Sequence, residues 1–101
     1  MKRQAIDEGG WFDVESATKH SESTHHDGRN FLSDATGSQW EHEALYCTRK
    51  GVYVLNHWSA YQGAGETWTL LDAAAAAAWL VRNGHDIPAG KLADAAAAQE
   101  C

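Results

Sequence analysis

Proline is nearly missing from this 101-residue sequence, with Pro88 the single example, so polyproline recognition segments and proline-stiffened linkers are excluded. Cysteine is scarce too. Cys47 falls inside a strand-like stretch and Cys101 is the last residue, so a disulfide between them would have to tie the chain end to a sheet. Two such thiols, with no paired framework and no secretory apolar segment, point to a reducing, cytoplasmic setting. Long apolar runs are also lacking: the alanine stretches are short and interrupted, well below the roughly 20 residues a membrane span needs. Positive charge is in deficit, with 8 Lys and Arg against 14 Asp and Glu and a formal net charge of −6. That balance disfavours direct binding to nucleic acid or to anionic lipid, and favours a protein partner with a basic surface. There is no glycine-rich phosphate loop, serine elbow or paired-cysteine metal motif, so no cofactor is expected.

What the sequence does have is aromatic bulk. Five Trp, three Tyr and two Phe can anchor the core of a chain too short for more than one domain, since each such ring buries on the order of 150–250 Å². Residues 1–10 mix charges with a Gly pair and show no apolar period, which reads as a flexible leader before a single α+β domain at 11–101. The expected fold is an antiparallel β-meander of four to five strands followed by an alanine-rich helix packed on one face, with a short second C-terminal helix.

The meander begins at Trp11, and the polar stretch 19–26 reads as its continuation along an exposed edge. Asp27-Gly28 carries the signature of a two-residue type I′ hairpin turn, with a returning strand at 31–35. The stretches 40–48 and 52–61 form the strongest strand pair. Thr48-Arg49-Lys50-Gly51 suits a type I turn closed by a glycine bulge, so that Thr48 meets Val52. In that register Leu45 faces Leu55, Cys47 faces Tyr53 and Glu43 faces His57 on one side; Tyr46 faces Val54 and His42 faces Trp58 on the other. A two-residue turn at Lys50-Gly51 would move every partner to the opposite face. After a turn at 62–65, a last strand at 66–71 leads to Asp72, an N-cap for the alanine helix, and Gly84 stands where a left-handed C′ residue belongs. Pro88 marks the break before a weaker helix at 91–99.

Several constellations bear on function. Glu43 and His57, opposed across central strands, place a carboxylate where it can orient an imidazole as a general base. No third member accompanies them, and a cross-strand charge pair is the simpler reading. His20, His25, His26 and His42 are ligand types without ligand spacing: His25 and His26 are adjacent and point to opposite sides of a strand, and no metal site is expected. The aromatic face is more informative. Trp40, His42, Tyr46 and Trp58 share one side of the hairpin, and one helix covers only one face. The second face is covered by the weak C-terminal helix, by the leader, or by another molecule, and Trp and Tyr are enriched where interfaces concentrate their energy. Stacked nucleobases are disfavoured there, because Glu41, Glu43 and Glu66 surround the rings where a basic groove would be needed.

The order Phe12-Asp13-Val14-Glu15-Ser16-Ala17, the hairpin from Glu43 through Leu45-Tyr46-Cys47-Thr48-Arg49-Lys50-Gly51 to Leu55, and Ala77-Ala78-Trp79-Leu80 together resemble a widespread group of small uncharacterised bacterial proteins, many from plasmids, prophages and other mobile elements. The resemblance covers most of 11–84 and implies the meander-plus-helix fold. Where that group commonly opens its Trp-Leu helix with Glu-Ala, this chain has alanines. The expected function is a non-catalytic protein-binding module, for example a mobile-element inhibitor of a host defence protein of the anti-CRISPR kind, acting through Trp40, Glu41, His42, Glu43, Tyr46, His57 and Trp58. A homo-oligomeric structural module using the same face, or a small metal- or histidine-dependent enzyme using Glu43 and His57, are the alternatives.

Overall fold

The computed structural model describes residues 1–60, 65–88 and 90–100. The fold is α+β. Among the described residues, eight short strands precede two helices: β1 (Arg3–Ala5), β2 (Trp11–Asp13), β3 (Thr18–Ser21), β4 (Thr24–His26), β5 (Phe31–Ser33), β6 (Glu41–Cys47), β7 (Tyr53–Ser59), β8 (Thr67–Leu71), α1 (Ala73–Arg82) and α2 (Lys91–Ala98). The strands form three antiparallel sheets, a central one of order β3-β6-β7-β8 and the separate pairs β1-β2 and β4-β5.

The β6–β7 register is the one expected from a glycine bulge. Glu41 faces Ser59, His42 faces Trp58, Glu43 faces His57, and the ladder runs on to Cys47 opposite Tyr53. The Thr48 amide donates to the Val52 carbonyl at 2.9 Å, and Gly51 takes φ 80° to close the turn. A side chain there would be forced into the left-handed region. The meander continues into β8, with Val54 opposite Leu70, but on the other side of β6 it fails. β3, and not β5, lies beside β6, with His20 opposite Leu45, and β4-β5 is an excursion inserted between them. The edge strand expected across 19–26 breaks at Glu22 and Ser23, where the Ser23 amide leaves the ladder to donate to Asn83 Oδ1 at 3.0 Å.

The turn at Asp27-Gly28 also differs from expectation. His26 pairs with Phe31, so four residues form the loop, and only Gly28 among them has positive φ, whereas a type I′ turn needs two such residues. Asp27 instead acts through its side chain, accepting from the Arg29 and Asn30 amides at 2.8 Å each. Those two bonds hold its carboxyl below the usual carboxylate range. Tyr61 and most of the expected turn at 62–65, like Cys101, lie outside the described residues.

Helix α1 is capped at both ends. Asp72 Oδ1 accepts from the Ala75 amide at 2.8 Å, and the His85 and Gly84 amides return to the Leu80 and Val81 carbonyls, the paired bonds of a Schellman ending. Ala76 and Ala77 are fully buried, so the helix lies close against the sheet face carrying Leu45, Tyr53 and Leu55, with Trp79 and Leu80 filling the contact. Leu92 of α2 completes this cluster, and Gln99 Nε2 donates to the Ala74 carbonyl at 2.8 Å.

The other sheet face is covered by a hairpin that joins part of the expected leader at 1–10 to the strand expected from Trp11. β1 pairs with β2, with Gln4 opposite Phe12, and the hairpin lays Ile6 and Phe12 over Ala44, Tyr46, Val54 and Trp68. Phe12, Tyr46 and Trp68 form a ring triad with centroids 5.4 to 5.7 Å apart. The segment lacks an apolar period because each strand is three residues long. Its order comes from tertiary burial, worth roughly 1.5–3 kcal/mol for one large apolar side chain.

Candidate functional site

The predicted site residues separate into three environments. Tyr46 belongs to the core, only 7% exposed, under the N-terminal hairpin, which removes it from any contact surface. Glu43 and His57 do stand opposite each other across β6 and β7, on the face packed by α1. The Glu43 carboxylate is turned to the helix, where Oε1 accepts from the Trp79 indole N–H at 3.1 Å. This bond satisfies a buried indole N–H that α1 would otherwise strand.

Trp40, Glu41, His42 and Trp58 remain at the open end of the β6–β7 hairpin, remote from its turn. The His42 and Trp58 rings lie 5.7 Å apart at 32°. Behind them Glu22 organises the edge: one carboxylate oxygen accepts from the Glu43 amide at 2.8 Å, and the carboxylate meets His42 Nδ1 at 3.1 Å. With that nitrogen held, the imidazole presents Nε2 as its remaining polar atom. Trp40 is 45% exposed and Glu41 is exposed, while Trp58 is half-buried against the core cluster. An open depression of about 370 Å³ continues the patch across Lys19, Asn56, Trp58 and Glu66.

Two further polar networks line the sheet edge. His85 Nε2 bonds the Ser21 carbonyl at 2.6 Å, and its ring stacks on Trp79 and meets the His20 ring edge-on. Asp34 bridges the Ser23 hydroxyl and His25 Nδ1, and both bonds hold its carboxyl below the usual range. The order of that bridge, with the carboxylate between serine and imidazole, keeps the imidazole off the serine hydroxyl, unlike a serine–histidine–aspartate triad. Burial pushes the Cys47 thiol up, away from the thiolate a nucleophile needs. Among the described residues, no three His, Cys, Asp or Glu side chains converge in a way that would hold a metal ion, and no helix is long and apolar enough to cross a membrane.

Sequence reasoning missed Glu22, whose partners lie 20 and 21 residues away, and it missed a cleft at the turn end of the same hairpin. The cleft, about 480 Å³, lies between the N-terminal hairpin and the Arg49-Lys50 turn. Two consecutive cations in an acidic chain were its visible signal. In comparisons with protein-family models, curated proteins and solved structures, nothing matches this chain.

Proposed function

We propose that the chain is a non-catalytic protein-binding module that engages a partner with a basic surface through the open end of the β6–β7 hairpin. The observation that carries this reading is the pairing of half-open Trp58 with His42 beside exposed Trp40, Glu41 and Glu66. An amphipathic ring supplies contact area at low entropic cost, and flanking carboxylates attract a cationic partner and fix its orientation. The net charge of −6 adds long-range attraction of the same sign. Glu43, engaged by Trp79, belongs to the support of this surface.

An inhibitor of a host defence protein, anti-CRISPR proteins among the examples, is one concrete form of such a module. An acidic surface of this kind competes for the basic channels that such proteins use to hold nucleic acid. To test the reading, the immobilised chain is challenged with bacterial lysate, and its captured protein is rechecked against Trp58→Ala and Glu41→Lys/Glu66→Lys variants with unchanged far-ultraviolet circular dichroism. Capture of one protein that is lost in both variants, and at about 0.5 M salt, supports the proposal. Capture unaffected by either variant overturns it, as does sedimentation showing that the patch joins two copies of the chain.

A further inference from the structure

Seven large apolar residues of the described chain are exposed, and three of them, Trp11, Val52 and Leu70, line one cleft. Singly exposed apolar residues are ordinary, whereas apolar residues gathered around one concavity mark a binding site. Ile6 and Phe12 belong to the same lining and are buried, so the walls continue into the core. The volume of about 480 Å³ lies within the roughly 300–1,000 Å³ of small-molecule sites.

Charge at this cleft opposes that of the whole chain. Arg49 and Lys50, two of only 8 cations, lie on its border, and among the described residues neither forms an ion pair. Arg3 stands 4.9 Å over the Trp11 ring, an arrangement that steadies the wall. Asp13 is the one acid in the lining. Its carboxylate is engaged by the Lys2 and Glu15 amides at 3.0 and 3.1 Å.

We propose that this cleft binds a small amphipathic monoanion, an apolar chain or ring system carrying a single carboxylate that seats against Arg49 and Lys50. Within the lining, two cations and one fixed acid leave a single positive charge to be matched, Arg3 lying outside the lining over the Trp11 ring. That excess fits a carboxylate better than a dianionic phosphate. A concave site between two hairpins suits a compact apolar body more closely than a flat protein surface. The site is distinct from the Trp58 patch, lying at the other end of the same hairpin.

The probe is decanoate, titrated by calorimetry and by amide chemical shifts. The expected result is saturable one-to-one binding, with shifts centred on Trp11, Val52 and Leu70. Binding should weaken about tenfold or more in Arg49→Glu/Lys50→Glu, the factor expected for loss of a charge-assisted contact, and 1-decanol should bind comparably weakly. Val52→Asp, a wall variant on the exposed end of the hairpin, should also abolish it with circular dichroism unchanged. Trp58→Ala should leave it untouched, so this proposal and the protein-binding one fail separately. Absence of saturable decanoate binding overturns the proposal, and so does equal affinity in the charge-reversed variant. Binding to phosphatidylglycerol vesicles without binding to monomeric decanoate would assign the patch to a lipid surface and would equally overturn it.

Discussion

Asp7 and Trp68 are joined twice, the Asp7 amide donating to the Trp68 carbonyl at 2.8 Å and the Asp7 carboxylate accepting from the Trp68 amide at 3.1 Å. Next to them, Glu8 Oε2 accepts from the Leu70 amide at 3.0 Å. β8 is an edge strand of the central sheet, so its outward N–H groups would otherwise offer a template for another strand. Two acidic side chains from the N-terminal segment occupy that template, which blunts the edge with charge as well as with hydrogen bonds. The same segment therefore covers one sheet face and closes one sheet edge.

Asp7→Ala should lower stability by about 1 kcal/mol, the net worth of a partly solvated hydrogen bond, read as a fall in the urea midpoint with unchanged slope. Asp7→Asn keeps an acceptor oxygen and should lose less. Equal midpoints for Asp7→Ala and the parent would show that water satisfies the β8 edge as well as the carboxylate does.

His20 supplies a pH dependence whose sign is fixed by its surroundings. Burial, and then the neighbouring His85 ring at 5.3 Å, lower its affinity for a proton relative to a free imidazole. Below about pH 6.5 the unfolded chain takes up a proton that the folded chain resists, so stability falls as the pH drops through that window. Replacing His20 with Gln should flatten the fall between about pH 6.5 and 5. The depressed carboxyls of Asp13, Asp27 and Asp34 act lower down: their contributions are present above the ordinary carboxylate range and are lost only as the pH falls through their folded values. An unchanged midpoint slope in His20→Gln would remove the imidazole from this account.

The parts of the fold legible in the sequence were those governed by local chemistry. Gly51 fixed a bulge, the bulge fixed the β6–β7 register, and that register put Leu45 and Tyr46 on opposite faces. Asp72 and Gly84 marked the ends of α1 in the same way. Elements set by distant contacts were not legible. β2 was legible as the strand opening at Trp11, but β1, three residues inside the expected leader, was not, since the hairpin gains its order from Phe12 meeting Tyr46 and Trp68. The strand across 19–26 broke because Ser23 found Asn83, 60 residues away. For the candidate site, alternation correctly brought His42 beside Trp58. It could not foresee that Glu43 would turn to an indole 36 residues distant, or that the N-terminal hairpin would take Tyr46 into the core.

Phe12 is where these two kinds of information meet, and its removal should be the most damaging single truncation in the N-terminal segment. It is 4% exposed and touches both Tyr46 and Trp68, so Phe12→Ala loses its transfer free energy and leaves a cavity between two rings. Substitutions of this kind cost about 3–5 kcal/mol, a large part of the roughly 5–15 kcal/mol that holds a domain folded. Phe12→Leu, which refills most of the volume, should recover much of the loss. The diagnostic readout is Trp68: with the hairpin displaced, its indole becomes accessible and its fluorescence should shift to the red in the alanine variant at temperatures where the helices persist by far-ultraviolet circular dichroism. If the hairpin were a dispensable leader, Phe12→Ala would melt with the parent and the shift would not appear.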